Sequence, residues 1–343
     1  MADAGDILGY LVKGLKIGAL LAVALIVTLA FNFAVLAAAY VYFATTRSAG
    51  EAAGLLGDSI HSIWMMLGLT VTQEIAWVLV PIGFLVLVDR RLHAWLKPLL
   101  PPGLREKILS PDLPPAFSWQ DLGLAFGPRA AKMFAAGMLL NALIGAGIIG
   151  TIATLGMQHV EVNGLAEYGL LAVAGSLALT VVLMLAVGVG EETLFRGYIQ
   201  TDLMRKYGCF AAVVVTSLLF AGVHIFFLIA GQEVSPLSIA GIFFASLVMG
   251  YLYVITGTIW ASIGFHFLQD VLAAGVFLTD ELPYASYPVF HFSKAGEVVL
   301  AGVKLGSQDN LVNIAFLVLA LAVLFVYHNR VRSRTTLRLR HDE

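Results

Sequence analysis

Between residues 17 and 43 the chain runs for 27 residues without one Asp, Glu, Lys, Arg or His. A hydrocarbon bilayer core takes about 20 apolar residues of helix to cross. Inside it, a helix is the one open-chain form that satisfies every peptide group internally. Seven more stretches of comparable make-up follow, at 65–88, 131–156, 167–190, 209–230, 237–256, 259–279 and 311–327. The pattern predicts an all-α fold, a polytopic membrane bundle of about eight transmembrane helices. Composition agrees: 59% of the 343 residues are hydrophobic and 12% are charged, against about 25% charged in an average soluble domain. The first apolar run is too long for a cleavable signal, whose apolar region spans roughly 7–15 residues, so a retained span is expected.

Eight spans place both termini on one side. If that side is cytoplasmic, it receives sixteen of the twenty Lys and Arg residues, including Lys13, Lys16, seven from Arg90 to Lys132 and five in the tail from Arg330 to Arg340; Arg47, Lys294 and Lys304 lie opposite. The positive-inside rule favours this orientation. A net charge of −2 gives no basis for nucleic acid as a partner. The lone Cys209 makes no intrachain disulfide and no thiolate cluster. The loop 89–130 holds seven of the eleven prolines and mixes Leu, Trp and Phe with charge, the pattern of short interfacial segments. The sequence divides into 1–119, two spans and this Pro-rich cytoplasmic loop; 120–280, a core of spans; and 281–343, an outer loop, the last span and a basic cytoplasmic tail.

Ionisable groups near mid-bilayer cost about 2.5–3.5 kcal/mol each on insertion scales and mark function by default. Here they are Glu74, Glu191, Glu192, Arg196, His224, His266 and Asp270. Helix positions four apart lie about 40° from each other around the axis, and adjacent ones about 100°. Glu192 and Arg196 are therefore spaced for an ion pair, while Glu191 points elsewhere. By the same spacing Phe220 can brace His224, and Asp270 can accept from a protonated nitrogen of His266. Glu191 lies fourteen residues from Arg205, and His224 sixteen from Gly208. These separations give similar depths of roughly 21 and 24 Å. His266 lies nearer the inner end of its span. Glu74 reads as a packing residue, and GAGIIG at 145–150 as close helix packing rather than a dinucleotide loop.

The ordered set Glu191-Glu192-x-x-x-Arg196, Phe220-x-x-x-His224 and His266-x-x-x-Asp270 resembles the CAAX-processing and bacteriocin-processing (CPBP, or Abi) intramembrane proteases, which include the type II CAAX prenyl endopeptidases. The likeness covers residues 120–280. It implies a helical catalytic core with a cavity inside the membrane that opens to the cytoplasm. Glu191 and His224 would activate a water, and His266 with its i+4 partner would stabilise the oxyanion. Glu192, Arg196 and Phe220 would support them. In this family the third motif often ends in Asn, a donor; ionised Asp270 only accepts, which assigns it to holding His266 as a charged donor.

Such chemistry needs a base, an oxyanion donor and a proton for the leaving amine, and no cofactor. A divalent metal on Glu191, His224 and His266 is the alternative, since imidazole and carboxylate are metal ligands. The expected partners are a peptide or protein substrate, arriving from membrane or cytoplasm, and lipid. There is no His-Glu-x-x-His and no Gly-x-Ser-Gly. Two rival functions are a proton-coupled transporter, with Glu and His as a relay, and a non-catalytic immunity or scaffold protein of the same fold.

Overall fold

The computed structural model describes residues 4–45, 63–109, 117–156, 158–225, 236–279, 287–294, 298–300, 303–305 and 310–341. Eight principal helices order the chain: α1 Ala4–Ala44, α2 Ile63–Val86, α3 Pro128–Leu155, α4 Leu170–Glu192, α5 Thr201–His224, α6 Pro236–Thr256, α7 Trp260–Val271 and α8 Asn310–His341. The molecule is an all-α integral membrane protein. Its side chains carry exposed apolar surface that lipid, not water, must cover: Phe33 is 74% exposed, Leu171 89% and Phe210 85%.

Six described segments are long and apolar enough to cross a membrane: Gly5–Tyr42, Gly68–Leu99, Pro128–Leu155, Leu170–His224, Pro236–Thr256 and Leu311–Arg330. The fourth has 55 residues, about 80 Å of helix, far more than one crossing takes. Gly208, with φ 79° and ψ 169°, breaks it, in a conformation that glycine adopts without a Cβ clash. The expected stretches 167–190 and 209–230 fall on either side of this break, with 226–230 outside the described residues. The expected span 259–279 is represented by α7, only 12 residues long, with a π-helical turn Leu272–Val276.

The chain divides into two compact units, one of residues 1–124 and 185–208, the other of 125–184 and 209–343. They interleave in sequence, and so partition the chain on a different basis from three consecutive segments. In the first unit α1 packs along α2, where Thr72 donates to Asn32 Oδ1 at 2.9 Å. Beyond α2 the Pro-rich loop forms short helical pieces at Leu87–Leu92, His93–Leu96, Lys97–Leu99, Pro102–Ile108 and Trp119–Leu122. Ser118 and Asp121 close a capping box on the last of these, and Arg90 reaches Asp121 at 2.7 Å. Residues 110–116 lie outside the described set.

In the second unit α3 and α7 approach backbone to backbone. A Cβ on Gly137 would collide with Ala261 O, and one on Gly264 with Phe134 O. Such small-residue contacts are how membrane helices come closest. Ser262 Oγ donates to Met249 O at 2.7 Å and ties α7 to α6. Gly145 faces Leu272, and Gly147 has no room for a Cβ beside the Phe316 ring of α8, so part of GAGIIG does serve helix packing. A small sheet, in the order β1 Gln158–Asn163, β3 Phe290–Lys294, β2 Phe277–Thr279, joins residues that follow α3 to residues that follow α7; β3 runs antiparallel to β1 and parallel to β2. A separate two-stranded ribbon pairs Val298–Leu300 with Val303–Leu305.

Candidate active site

The first motif sits where α4 gives way to a π-helix, Thr193–Gln200. Wide turns of this kind recur at functional sites. All eight of its residues are buried, and the Thr201 hydroxyl donates to Arg196 O, five residues back, at 3.0 Å. Glu192 and Arg196 form the expected pair, Arg196 Nη1 donating to Glu192 Oε1 at 2.8 Å with both side chains 0% exposed. Glu191 is also buried, at 7%. A guanidinium so enclosed needs a carboxylate beside it, since an isolated charge in an apolar medium is prohibitive. Glu192 therefore has its charge committed to Arg196.

Aromatic and backbone contacts fix the segment in place. Trp77 of α2 meets Phe195 edge-on at 5.9 Å between ring centroids, and Phe84 meets Tyr198 at 6.4 Å. Gly197 passes so close to the 119–122 turn that a Cβ would lie 2.7 Å from Leu122 O. Tyr198 donates to Asp89 Oδ2 at 2.7 Å. Asp89 also binds Lys16, and Asp202 binds both Lys13 and Lys16. The lysines that the charge rule places as inner-side flanks are thus buried or nearly so, at 5% and 13% exposure, and tie α1 to Asp202, just past the π-helix, and to Asp89, which Tyr198 of the π-helix also binds. Their alternation with apolar residues gave no sign of this, because the acids they meet lie 73 and 189 positions away.

Glu74 was the second contact hidden in the sequence. It is 3% exposed and sits directly on Gly190, where any Cβ would collide with its Oε2 and lie 2.9 Å from its Cβ. The legible signal was the glycine immediately before two glutamates.

The second unit assembles the other two motifs. Phe220 is 3% exposed, and its ring centroid lies 4.7 Å from that of His224 and 5.8 Å from that of His266, tilted on the first and edge-on to the second. One ring therefore sets both imidazoles. His224 closes α5, with Nδ1 2.8 Å from Phe220 O. A carbonyl only accepts, so Nδ1 carries the proton, and in the neutral ring the lone pair is on Nε2. His266 Nε2 lies 3.3 Å from Asp270 Oδ2, with the imidazole nearly buried and the carboxylate a quarter exposed. That leaves Nδ1 of His266 as the ring's other donor when it is charged.

Glu191, Glu192 and Arg196 belong to the first unit; Phe220, His224, His266 and Asp270 belong to the second. Within either unit, among the described residues, no three His, Cys, Asp or Glu side chains are grouped to hold a metal ion. No curated protein and no solved structure gives a match to the chain. Residues 173–272, which contain all three motifs, match the family model described as type II CAAX prenyl endopeptidase Rce1-like, and this stretch of the chain is Rce1-like.

Proposed function

We propose that the protein is an intramembrane endopeptidase that hydrolyses a peptide bond near the end of a peptide or membrane-associated protein, with Glu191 and His224 activating water and His266 binding the oxyanion. The observation that carries this reading is the single Phe220 ring in contact with both imidazoles, inside the Rce1-like stretch. Of the two buried neighbours, Glu192 makes the ion pair with Arg196, and Glu191 is the one assigned to take a proton. Water gives that proton to Glu191 as its oxygen attacks the carbonyl carbon. Nε2 of His224, the ring's acceptor, takes a hydrogen bond from the water's other O–H and orients it. The tetrahedral oxyanion then accepts from charged His266, whose orientation Asp270 keeps. Collapse breaks the C–N bond, and the proton returns from Glu191 to the leaving amine. Removing a general base of this kind costs about 10²–10⁴-fold in rate.

This chemistry uses no metal. A divalent ion on Glu191, His224 and His266 is the rival, and cleavage that survives exhaustive chelation eliminates it. The Rce1-like model names a prenyl endopeptidase, so a prenylated C-terminal peptide is the first substrate class to offer, beside its unprenylated twin. We place both termini in the cytoplasm, which a reporter fused after the last residue would check. The deciding experiment reconstitutes wild type and Glu191→Gln in liposomes with such peptides. Cleavage by wild type and none by the variant is expected; equal cleavage by both ends the assignment.

A further inference from the structure

The π-helix Thr193–Gln200 lies inside the Rce1-like stretch 173–272, yet side chains from outside that stretch hold it. Asp89 sits in a second π-helical turn, Leu87–Leu92, and divides its two oxygens. Oδ2 accepts from the Tyr198 hydroxyl at 2.7 Å, and Oδ1 accepts from Lys16 Nζ at 2.5 Å. Lys16 also reaches Asp202 Oδ2 at 3.0 Å, the oxygen that Lys13 binds at 2.7 Å. Lys13 and Lys16 are three apart and so share one face of α1. Both lysines and both aspartates are 13% exposed or less, so each charge depends on its partner. That balance gives the Tyr198 hydroxyl a fixed carboxylate to bind.

Wide turns of this kind are rare, and one extra residue in a turn rotates everything after it by about 100° relative to everything before it. Relaxation to a plain α-helix would therefore swing Tyr198 and Asp202 away from Asp89 and the lysines, unless Gly190 to Glu192 swung instead. Those leading residues are held as well: Glu74 lies against Gly190, and Trp77 packs edge-on against Phe195. The wide turn is the conformation that keeps both sets of contacts. We propose that Asp89, backed by Lys16, is a positioning residue of the protease: by binding the Tyr198 hydroxyl it keeps the π-helix wide and so sets the direction in which Glu191 points. The proposal rests on the protease reading for its effect on turnover, but not for the register of the turn.

The test uses the full-length protein in liposomes, with peptide cleavage measured well below each variant's unfolding midpoint. Tyr198→Phe removes one hydroxyl and should lower kcat on the order of tenfold with KM within about twofold, as a misdirected group does. Two double variants separate the hydrogen bond from the charge. Asp89→Asn with Lys16→Met, and Asp89→Leu with Lys16→Met, both leave Lys13 opposite Asp202, but Asn offers Tyr198 an acceptor and Leu does not. The Asn pair should recover kcat to within about threefold of wild type, and the Leu pair should be as slow as Tyr198→Phe. Amide hydrogen exchange across 193–200 should quicken in Tyr198→Phe and in the Leu pair, and not in the Asn pair. Equal kcat in the two double variants overturns the proposal, as does a fully active Tyr198→Phe, a change in KM alone, or faster exchange with no loss of kcat. If the Leu pair does not fold, Tyr198→Phe against the Asn pair decides. Should the wild type cleave no peptide, the protease reading fails, and the exchange pattern by itself decides whether Asp89 holds the turn.

Discussion

Lys13 Nζ lies 2.7 Å from Asp202 Oδ2, joining residues 189 positions apart with both side chains 5% exposed or less. Lys16 reaches the same carboxylate at 3.0 Å and stands 5.3 Å above the Tyr198 ring. Two lysines and two aspartates balance in charge, and Tyr198 donates a further hydrogen bond to Asp89. The first helix is thereby locked to Asp202, just past the π-helix that follows the glutamate pair, and through Asp89 to Tyr198 within it.

Taking away one member of a buried ion pair costs about 3–5 kcal/mol, because its partner's charge is left uncompensated. Asp202→Asn should accordingly lower the unfolding midpoint in detergent sharply, and Lys13→Met should do so too. The pair Lys13→Met with Asp202→Leu should recover part of the loss, since the two effects couple. Strict additivity of the two single changes would show that the contact carries no interaction energy.

The Glu192–Arg196 pair is more enclosed still, at 0% exposure on both sides. Arg196→Met strands a carboxylate among buried groups and should cost more stability than Glu192→Gln, which leaves Arg196 a polar neighbour. Thermal unfolding of the two proteins ranks them. The opposite order would mean that Arg196 draws its main support from elsewhere.

Gly264 has Phe134 O where its Cβ would be, whereas Gly150, further along α3, has nothing within 4 Å. Gly264→Ala should therefore separate α3 from α7 and reduce the yield of folded protein. Gly150→Ala should be neutral or stabilise by roughly 0.5–1 kcal/mol, the helix-propensity difference. Equal behaviour of the two variants would refute the backbone contact.

These contacts mark the boundary of what the sequence discloses. The apolar stretches, the i,i+4 pair of Glu192 with Arg196 and the adjacency of His266 with Asp270 follow from period and spacing, which are local. Gly208 is a glycine among many until its left-handed φ divides 55 continuous helical residues. Neither the π-helix nor the pairing of Phe290–Lys294 with Gln158–Asn163 leaves a periodic trace. Glu74 on Gly190 depends on two helices crossing at one level, and Lys13 with Asp202 on a chain returning after 189 positions; tertiary packing decides both. The sequence does order the three motifs, and one aromatic ring, Phe220, gathers two of them.

Phe220 offers the most direct measure of that gathering. Its ring touches His224 at 4.7 Å and His266 at 5.8 Å, while its own carbonyl holds His224 Nδ1. Phe220→Leu keeps the carbonyl and most of the apolar volume but removes the flat face against both imidazoles. Under the proposed mechanism kcat should fall on the order of tenfold or more with KM little changed, because misplaced groups lose transition-state contacts rather than substrate binding. Asp270→Asn should act on the same parameter, since a neutral amide no longer favours the charged form of His266. If Phe220→Leu instead raised KM alone, the ring would belong to a substrate pocket, and the two histidines would owe their placement to something other than Phe220.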